Sequence, residues 1–213
     1  MSEQKYKIGD AYDLLKELPS KSIDLILTDP PYGIKVSAKS VSLRGKAKIT
    51  QHKDFNWDQN RLEKKYFDEM LRVSKNQIIF GGNYYTDYLY PTSCWIVWHK
   101  DNGDSNFSDC DLAWGSFKTS IRYFKHRWHG MLQEDMSHKE EKLYPTQKPL
   151  KLFEWILKKY SNENDLICDP FLGSGTTLRA CMNTNRNCIG FEINPDCEKI
   201  YKERLMVNQV RFL

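Results

Sequence analysis

IDLILTDPPY at residues 23–32 and LICDPFLGSG at residues 166–175 are the two stretches that decide the fold of this chain. In each of them a short apolar run, typical of a buried parallel strand, ends on a carboxylate, Asp29 or Asp169. Open α/β sheets bind their ligands beyond the carboxyl ends of such strands. The two stretches therefore predict two ligand-binding tips, one suited to a target amine and the other to a cofactor.

Strand-like and helix-like segments alternate through both ends of the sequence. Apolar periodicity predicts helices at residues 11–18, 62–73, 150–160, 176–182 and from 194 onward. Strands are expected at residues 23–27, 78–80, 94–98, 166–169 and 187–192. This alternation predicts the α/β class, with a doubly wound, mainly parallel sheet that carries helices on both faces.

Length and composition favour one domain over residues 1–213, because 40% of the residues are hydrophobic and 28% are charged. Residues of about 99–143 have weak periodicity, so we expect a small specialised region there. No apolar run approaches the roughly 20 residues of a membrane span, and the chain starts without the apolar segment of a secretory signal. We expect a soluble, cytoplasmic protein with no membrane partner.

Six cysteines are scattered along the chain without a C-x-x-C pair. This spacing predicts neither a zinc site nor a disulfide framework. We therefore expect most of the cysteines to be buried thiols and the protein to bind no metal.

Basic residues are distributed unevenly, although the net charge of +4 is too small to identify a partner. Residues 33–53 and 112–133 contain no acid, and the second stretch interleaves its cations with aromatic residues. Basic and aromatic groups together suit a nucleic acid, whereas a solvated face beside core aromatics is the alternative for either stretch alone. Because residues 33–53 follow the Asp29 tip directly, we interpret residues of about 33–56 as a mobile basic loop. The candidate nucleic-acid contacts are Lys35, Lys39, Arg44, Lys46, Lys48, Lys118, Arg122, Lys125 and Arg127.

Gly173 and Gly175 lie between a strand and a helix, where backbone without a Cβ can approach a ligand closely. A P-loop is excluded because no Gly-Lys-Ser/Thr follows, and the dinucleotide pattern fails at Leu178, where its third glycine would be. Asp169 would repel a pyrophosphate but would suit an ammonium. Glu192 ends the next strand, where a doubly wound fold places an acid against ribose hydroxyls. Ammonium and ribose together describe S-adenosylmethionine.

PTQKP at residues 145–149 adds a hydroxyl, Thr146, and an ammonium, Lys148, at a helix start, where they could hold the carboxylate of the same cofactor. Each residue also has a structural alternative: Asp10 as a helix cap, Lys148 as a surface lysine, Glu192 as a solvated loop acid. Their joint occurrence with the glycine loop favours the cofactor site.

DPPY at residues 29–32 suits methyl transfer to an exocyclic amine, whose lone pair is delocalised into the ring. The Asp29 carboxylate and the Pro30 carbonyl can accept the two N–H groups and stabilise positive charge on the nitrogen. Pro31 stiffens the turn, and Tyr32 offers a flat face to an extruded base. The alternative is an ordinary proline turn with a core tyrosine, which two successive prolines at a strand end make less favoured.

With these motifs the chain resembles the β-class of N6-adenine DNA methyltransferases, in which D-P-P-Y precedes D-P-F-x-G-x-G in a circular permutation of the usual order. The resemblance implies a seven-stranded Rossmann-like methyltransferase sheet, S-adenosylmethionine as cofactor, DNA as partner, a homodimer, and target recognition by residues of about 99–143. It implies catalysis by Asp29, Pro30, Pro31 and Tyr32. It implies cofactor contacts by Asp10, Ala11, Thr146, Lys148, Asp169, Phe171, Gly173, Gly175, Thr176 and Glu192.

The predicted function is transfer of a methyl group from S-adenosylmethionine to N6 of a flipped adenine in DNA, without a covalent enzyme intermediate. Cytosine C5 methylation is disfavoured because the chain contains no Pro-Cys to supply its thiolate nucleophile. Cytosine N4 is the nearest alternative, and in that group the tetrapeptide more often starts with Ser. An alternative of another class is a non-catalytic nucleic-acid-binding subunit, against which the intact Asp29, Lys148, Asp169 and Glu192 argue.

Overall fold

One mixed β-sheet with helices on both faces organises the protein in a computed structural model, which describes residues 2–34, 60–103, 108–129, 132–144 and 146–206. The strands are β1 Gln4–Ile8, β2 Ile23–Thr28, β3 Ser74–Phe80, β4 Trp95–His99, β5 Cys110–Gly115, β6 Arg122–Lys125, β7 Trp128–His129, β8 Leu132–Gln133, β9 Leu166–Asp169 and β10 Asn187–Glu192. The helices are α1 Ala11–Lys16, α2 Lys64–Val73, α3 Leu150–Tyr160, α4 Thr176–Asn183 and α5 Glu198–Met206, with short 3₁₀ turns at Gly82–Tyr84 and Pro195–Cys197.

The main sheet has the strand order β1-β10-β9-β2-β3-β5-β4-β6 within the described residues, and β7 pairs with β8 in a separate two-stranded sheet. Only β5 of these eight strands runs against the others, since it pairs antiparallel with both β3 and β4. The predicted doubly wound, mainly parallel α/β fold is confirmed. The sheet has eight strands where seven were expected, because β6 adds to the edge beside β4 and its Phe124 packs on Trp155 of α3.

The central strand β2 is buried on both faces of the sheet, which explains its nearly continuous apolar sequence. Leu25 and Leu27 pack into the core cluster that contains α3 and α4, whereas Ile26 packs into the cluster that contains α2. Successive side chains of a strand point to opposite faces of the sheet, so one short strand supports both halves of the core. This burial fixes the strand end from which residues 29–32 leave.

The first helix begins where the sequence predicts it. The Asp10 carboxylate accepts a 2.8 Å hydrogen bond from the Tyr12 backbone N–H and so caps α1. Pro149 occupies the cap position of α3. The predicted helix at residues 62–73 begins two residues later, at Lys64.

All six cysteines carry free thiols, of which Cys110 is half-buried and the other five are buried. This confirms that most of them act as small core side chains. In the described part of the chain, no helix combines the length and apolar character needed to cross a membrane.

Candidate active site

The two predicted tips lie side by side at one edge of the sheet. Strands β2 and β9 are parallel neighbours, with Leu25 opposite Ile167. Just beyond this pairing, the buried Thr28 hydroxyl donates a 2.6 Å hydrogen bond to Asp169 Oδ1. Asp29 follows Thr28 directly. The residues after β2 (29–32, the acceptor tip) and those at the end of β9 (169–175, the cofactor tip) therefore lie next to each other and form one cleft.

The Asp29 carboxylate is held by contacts to both of its oxygens. Lys148 Nζ lies 2.5 Å from Oδ2, and the Tyr32 hydroxyl donates a hydrogen bond to Oδ1. The Asp29 side chain is 21% exposed, so one face of the carboxylate remains accessible from the cleft. Two fixed donors of this kind orient an acceptor before a substrate arrives.

Lys148 sits between two carboxylates at the acceptor tip. Its ammonium lies 3.6 Å from Asp111 Oδ2 in addition to its contact with Asp29, and its side chain is only 10% exposed. Burial alone would lower the pKa of Lys148, but the charges of Asp29 and Asp111 outweigh burial and raise the pKa above its ordinary value. This placement at the Asp29 tip differs from the predicted contact with the cofactor carboxylate.

The Tyr32 ring is packed against backbone and a second aromatic ring. Gly81 has a positive φ of +66°, and a Cβ at this position would overlap the Tyr32 ring, so only glycine fits. Tyr84, which is 42% exposed, stacks on Tyr32 with ring centroids 4.9 Å apart and planes inclined by 19°. Burial, aided by the charge of Asp29, raises the pKa of Tyr32 well above its ordinary value. Tyr32 therefore remains a neutral hydroxyl that donates to Asp29.

The Asp169 carboxylate is fully buried and accepts three hydrogen bonds. They come from the hydroxyls of Thr28 and Thr177 and from the Phe171 backbone N–H at 3.1 Å. Burial nevertheless raises the pKa of Asp169 to about 6, and the nearby charge of Asp29 contributes to this rise. A carboxylate in this position gains from a cation brought next to it.

The glycine loop is held from both sides. The Gly173 backbone N–H donates a 2.8 Å hydrogen bond to Glu192 Oε2, and the Gly173 carbonyl accepts a 3.0 Å hydrogen bond from the Tyr201 hydroxyl. Both Gly173 and Gly175 have positive φ, and a Cβ at Gly175 would lie 2.9 Å from the Tyr201 ring. A Cβ at Gly173 would meet its nearest atoms, the Phe171 carbonyl oxygen and a Tyr144 ring carbon, at 3.9 Å, so there is room beside this backbone.

The Glu192 end of the cleft offers both an acceptor and a donor. Glu192 accepts hydrogen bonds from Gly173 and Asn194, and burial raises its pKa above the ordinary value. The Asn194 side-chain Nδ2 is buried without a hydrogen-bond partner among the described residues. A buried carboxylate for an ammonium, open backbone at Gly173 and this donor–acceptor pair for ribose hydroxyls fit S-adenosylmethionine.

The remaining predicted cofactor residues surround the same edge. The Gly9 backbone N–H bonds to the Glu192 carbonyl at 2.8 Å, which places Asp10 and the buried Ala11 beside Glu192. Asp10 also accepts a 3.1 Å hydrogen bond from the Tyr66 hydroxyl. Thr176 Oγ1 lies 3.4 Å from the Lys148 carbonyl and so connects the glycine loop to the half-buried Thr146 segment.

The predicted nucleic-acid contacts separate into three groups. Lys35, Lys39, Arg44, Lys46 and Lys48 lie outside the described residues. Lys118 and Arg122 lie at the amino-terminal edge of the sheet, opposite the Asp29 tip, because Arg122 pairs with Ile96 near the start of β4. Lys125 pairs with His99 at the other end of β4, and it and Arg127 contact Asp101 at 3.0 and 2.7 Å on the side of the cleft.

Five residues of the site were not predicted from the sequence. They are Thr28, Tyr84, Lys100, Asp111 and Thr177. Asp111 had one available signal, since it is an acid in the otherwise apolar strand sequence CDLAWG. Thr28 and Thr177 had none, because their role depends on a contact between distant segments.

The sequence matches a family model for DNA methylases of the N6/N4 type over residues 85–203. The Type II methyltransferase M.HpaI of Haemophilus parainfluenzae is 30% identical, and the match covers 95% of this chain and 74% of that protein. M.HinfI of Haemophilus influenzae is 27% identical, with coverage of 92% and 67%.

Solved structures of methyltransferases share the fold. M1.HpyAVI in complex with S-adenosylmethionine superposes with a TM-score of 0.60 at 24% identity, covering 95% of this chain and 98% of that one. The cytosine-N4-specific PvuII DNA methyltransferase superposes with a TM-score of 0.66 at 16% identity, covering 99% and 89%. The family model spans more than half of the sequence, and the protein therefore belongs to the N6/N4 family of DNA methylases.

Proposed function

We propose that this DNA methyltransferase modifies the exocyclic N6 amine of an adenine flipped out of DNA, and that Asp29 accepts the amine. Like the family to which it belongs, the protein acts on DNA with S-adenosylmethionine as methyl donor. The observation that carries the proposal is the hydrogen bond between Thr28 and Asp169, because it supports an acceptor carboxylate directly beside the cofactor tip.

At the acceptor tip, each residue has a separate task. The Asp29 carboxylate and the Pro30 carbonyl accept the two N–H groups of the amine, which localises its lone pair and stabilises positive charge on the nitrogen. Lys148 and Tyr32 hold Asp29 in position, and the Tyr85 hydroxyl donates to the Pro31 carbonyl and fixes the turn. With S-adenosylmethionine bound, the amine lone pair would form a bond to its methyl carbon as the carbon–sulfur bond breaks, and the proton lost from the nitrogen would pass to solvent.

At the cofactor tip, the residues bind and orient. Asp169 faces the ammonium group, Glu192 and Asn194 face the ribose hydroxyls, and the glycine loop supplies open backbone between them. When bound, S-adenosylmethionine supplies an activated methyl group on a sulfonium. The protein needs no nucleophile of its own for this direct transfer, which agrees with the absence of Pro-Cys from the sequence.

Cytosine N4 is the second candidate acceptor, because it presents the same pair of N–H groups and the PvuII N4-specific enzyme shares the fold. Asp29, rather than Ser, at the start of the tetrapeptide favours adenine. The deciding experiment incubates the protein with isotopically labelled S-adenosylmethionine and unmethylated DNA, followed by digestion to nucleosides and mass spectrometry. Label in N6-methyladenine supports the proposal, and label in N4-methylcytosine selects the alternative. Cofactor binding without any transfer selects a non-catalytic subunit.

DNA contact at the cleft is assigned to Lys125 and Arg127 in the proposed target-recognition region of residues 99–143, and to the basic residues between 35 and 48. The proposed interface does not include Lys118 and Arg122, because they lie at the amino-terminal ends of the strands, away from the cleft. We further propose a homodimer, which the resemblance implies, and a location in the cytoplasm. Light scattering of the purified protein and fractionation of cells that express it test these two points.

A further inference from the structure

A chain of four alternating charges crosses the floor of the cleft. Lys100 Nζ lies 2.6 Å from Asp111 Oδ1, Asp111 Oδ2 lies 3.6 Å from Lys148 Nζ, and Lys148 Nζ lies 2.5 Å from Asp29 Oδ2. All four side chains are less than a quarter exposed. Asp29 is thus joined through two partners to the far side of the cleft.

The reversed strand explains how Asp111 reaches this position. Because β5 runs against its neighbours, its first residues lie at the edge where the parallel strands end, and Asp111 pairs with Trp98 near the end of β4. Burial alone would raise the pKa of Asp111, but the charges of Lys148 and Lys100 overcome it and hold the pKa below its ordinary value. Asp111 is therefore an ionised group that contacts Lys100 and Lys148.

We propose that Asp111 is a positioning residue for methyl transfer, which acts through Lys148 to fix the Asp29 carboxylate against the target amine. The proposal rests on the role of Asp29 given above. With two carboxylates around it, the Lys148 ammonium is shared and held at a fixed point on the cleft floor. Without the charge of Asp111, Lys148 has Asp29 as its sole anionic contact, and it moves with that carboxylate and competes with the amine for it.

Few of the residues that the structure describes face Lys148. Asp29 approaches from the end of β2 and Asp111 from β5, with Lys100 behind Asp111. The rings of Tyr32 and Phe80 lie 5.9 and 5.3 Å from the ammonium. Among these neighbours, Asp111 is the carboxylate whose removal changes the surroundings of Lys148 without removing the amine acceptor.

The test compares Asp111→Asn, Asp111→Glu and the control Asp109→Asn, which removes an exposed carboxylate two residues away. We expect Asp111→Asn to lower kcat by about 10- to 100-fold, the usual effect of a misplaced catalytic group, with unchanged affinity for S-adenosylmethionine. Asp111→Glu should recover part of kcat, and Asp109→Asn should leave it unchanged. In Asp111→Asn, kcat should also fall off at alkaline pH where the unsubstituted protein keeps its rate, because Lys148 loses one neighbouring negative charge.

A double-substitution cycle separates positioning from stability. If Asp111 acts through Lys148, Asp111→Asn should have little further effect on kcat in a Lys148→Met background. Full activity and an unchanged pH profile in Asp111→Asn would overturn the inference while leaving the proposed function intact. So would equal losses in both backgrounds, or a loss of kcat matched by a lower melting temperature without recovery in Asp111→Glu. If the unsubstituted protein transferred no methyl group to DNA, the proposed function itself would fail.

Discussion

The Thr28 hydroxyl donates a 2.6 Å hydrogen bond to the Asp169 carboxylate, although 141 positions separate the two residues. This bond joins the last residue of β2 to the last residue of β9, and the residues after each strand form one tip of the cleft. The buried Asp169 carboxylate thereby depends on a hydroxyl from the acceptor half of the site.

Cofactor affinity should depend on the ionisation of Asp169. Since burial raises the pKa of Asp169 to about 6, we expect the affinity for S-adenosylmethionine to weaken as the pH falls through about 6. Thr28→Val should move this weakening to higher pH, because it removes a hydrogen bond to the charged form. Calorimetric titration between pH 5 and 8 measures both effects, with Thr92→Val, which removes a bond to the Gly115 carbonyl, as the control. A pH-independent affinity in the unsubstituted protein would contradict the role of Asp169.

The same pKa shift has a consequence of opposite sign for stability. The pKa of Asp169 is raised in the folded protein, from 3.8 to about 6, so the folded state holds a proton that the unfolded chain releases. The contribution of Asp169 to the free energy of unfolding therefore falls as the pH rises through this window. Binding of a cationic ligand opposes that loss.

Asp29→Asn should lower kcat by at least about 100-fold, because an amide is a weaker acceptor for an amine on which positive charge develops. The affinity for S-adenosylmethionine should remain unchanged, since Asp29 does not touch the glycine loop. Asp24→Asn provides the control on the same strand: Asp24 lies at the opposite end of β2 and bonds to Lys75 and the Leu166 backbone. Asp24→Asn should lower the stability of the protein and leave kcat unchanged. Near-normal turnover in Asp29→Asn would refute the assigned role.

Tyr84 should contribute to holding the flipped base beside Tyr32. Tyr84→Ala should weaken DNA binding by about 1–3 kcal/mol, the usual contribution of base–aromatic stacking, and Tyr84→Phe should retain it. The matched control is Tyr90→Ala, which removes an exposed ring that packs edge-on against Trp114 and does not contact Tyr32. Titration of DNA by fluorescence anisotropy measures the effect. Equal losses in Tyr84→Ala and Tyr90→Ala would argue against a specific stack.

Basic residues at the carboxyl ends of the strands should contribute more to DNA binding than those at the amino ends. Replacing Lys125 and Arg127 by alanine should reduce the slope of log affinity against log salt concentration by about one for each lost phosphate contact. The same change at Lys118 and Arg122, at the opposite edge, should leave the slope unaltered. Replacing Arg44, Lys46 and Lys48 should also reduce it. Equal slopes for all three variants and the unsubstituted protein would reject the proposed interface.

The parts of the site that are contiguous in sequence could be predicted from the sequence. Asp29 with its two prolines and Asp169 with its glycine loop each combine a strand end and a turn, and local periodicity reveals both. Their proximity followed from the general rule that parallel strands end at a common edge. In the structure, the two strand ends lie side by side.

The parts that depend on pairing between distant segments could not be predicted. An ammonium at a helix start predicts that Lys148 holds the cofactor carboxylate, whereas in the structure it contacts Asp29 and Asp111. That contact exists only because β5 is reversed. Likewise, the basic residues from 118 to 127 form one stretch in sequence, but β6 carries its two ends to opposite edges of the sheet.

The contact between Asp29 and Lys148 spans 119 positions, and the charges beyond it come from two further strands. Such contacts form only after long loops have closed, which costs chain entropy. The catalytic floor is therefore complete only when the strands that carry these residues have paired. Methylation recovered during refolding would report the complete native topology, and intermediates that contain only part of the sheet would be inactive.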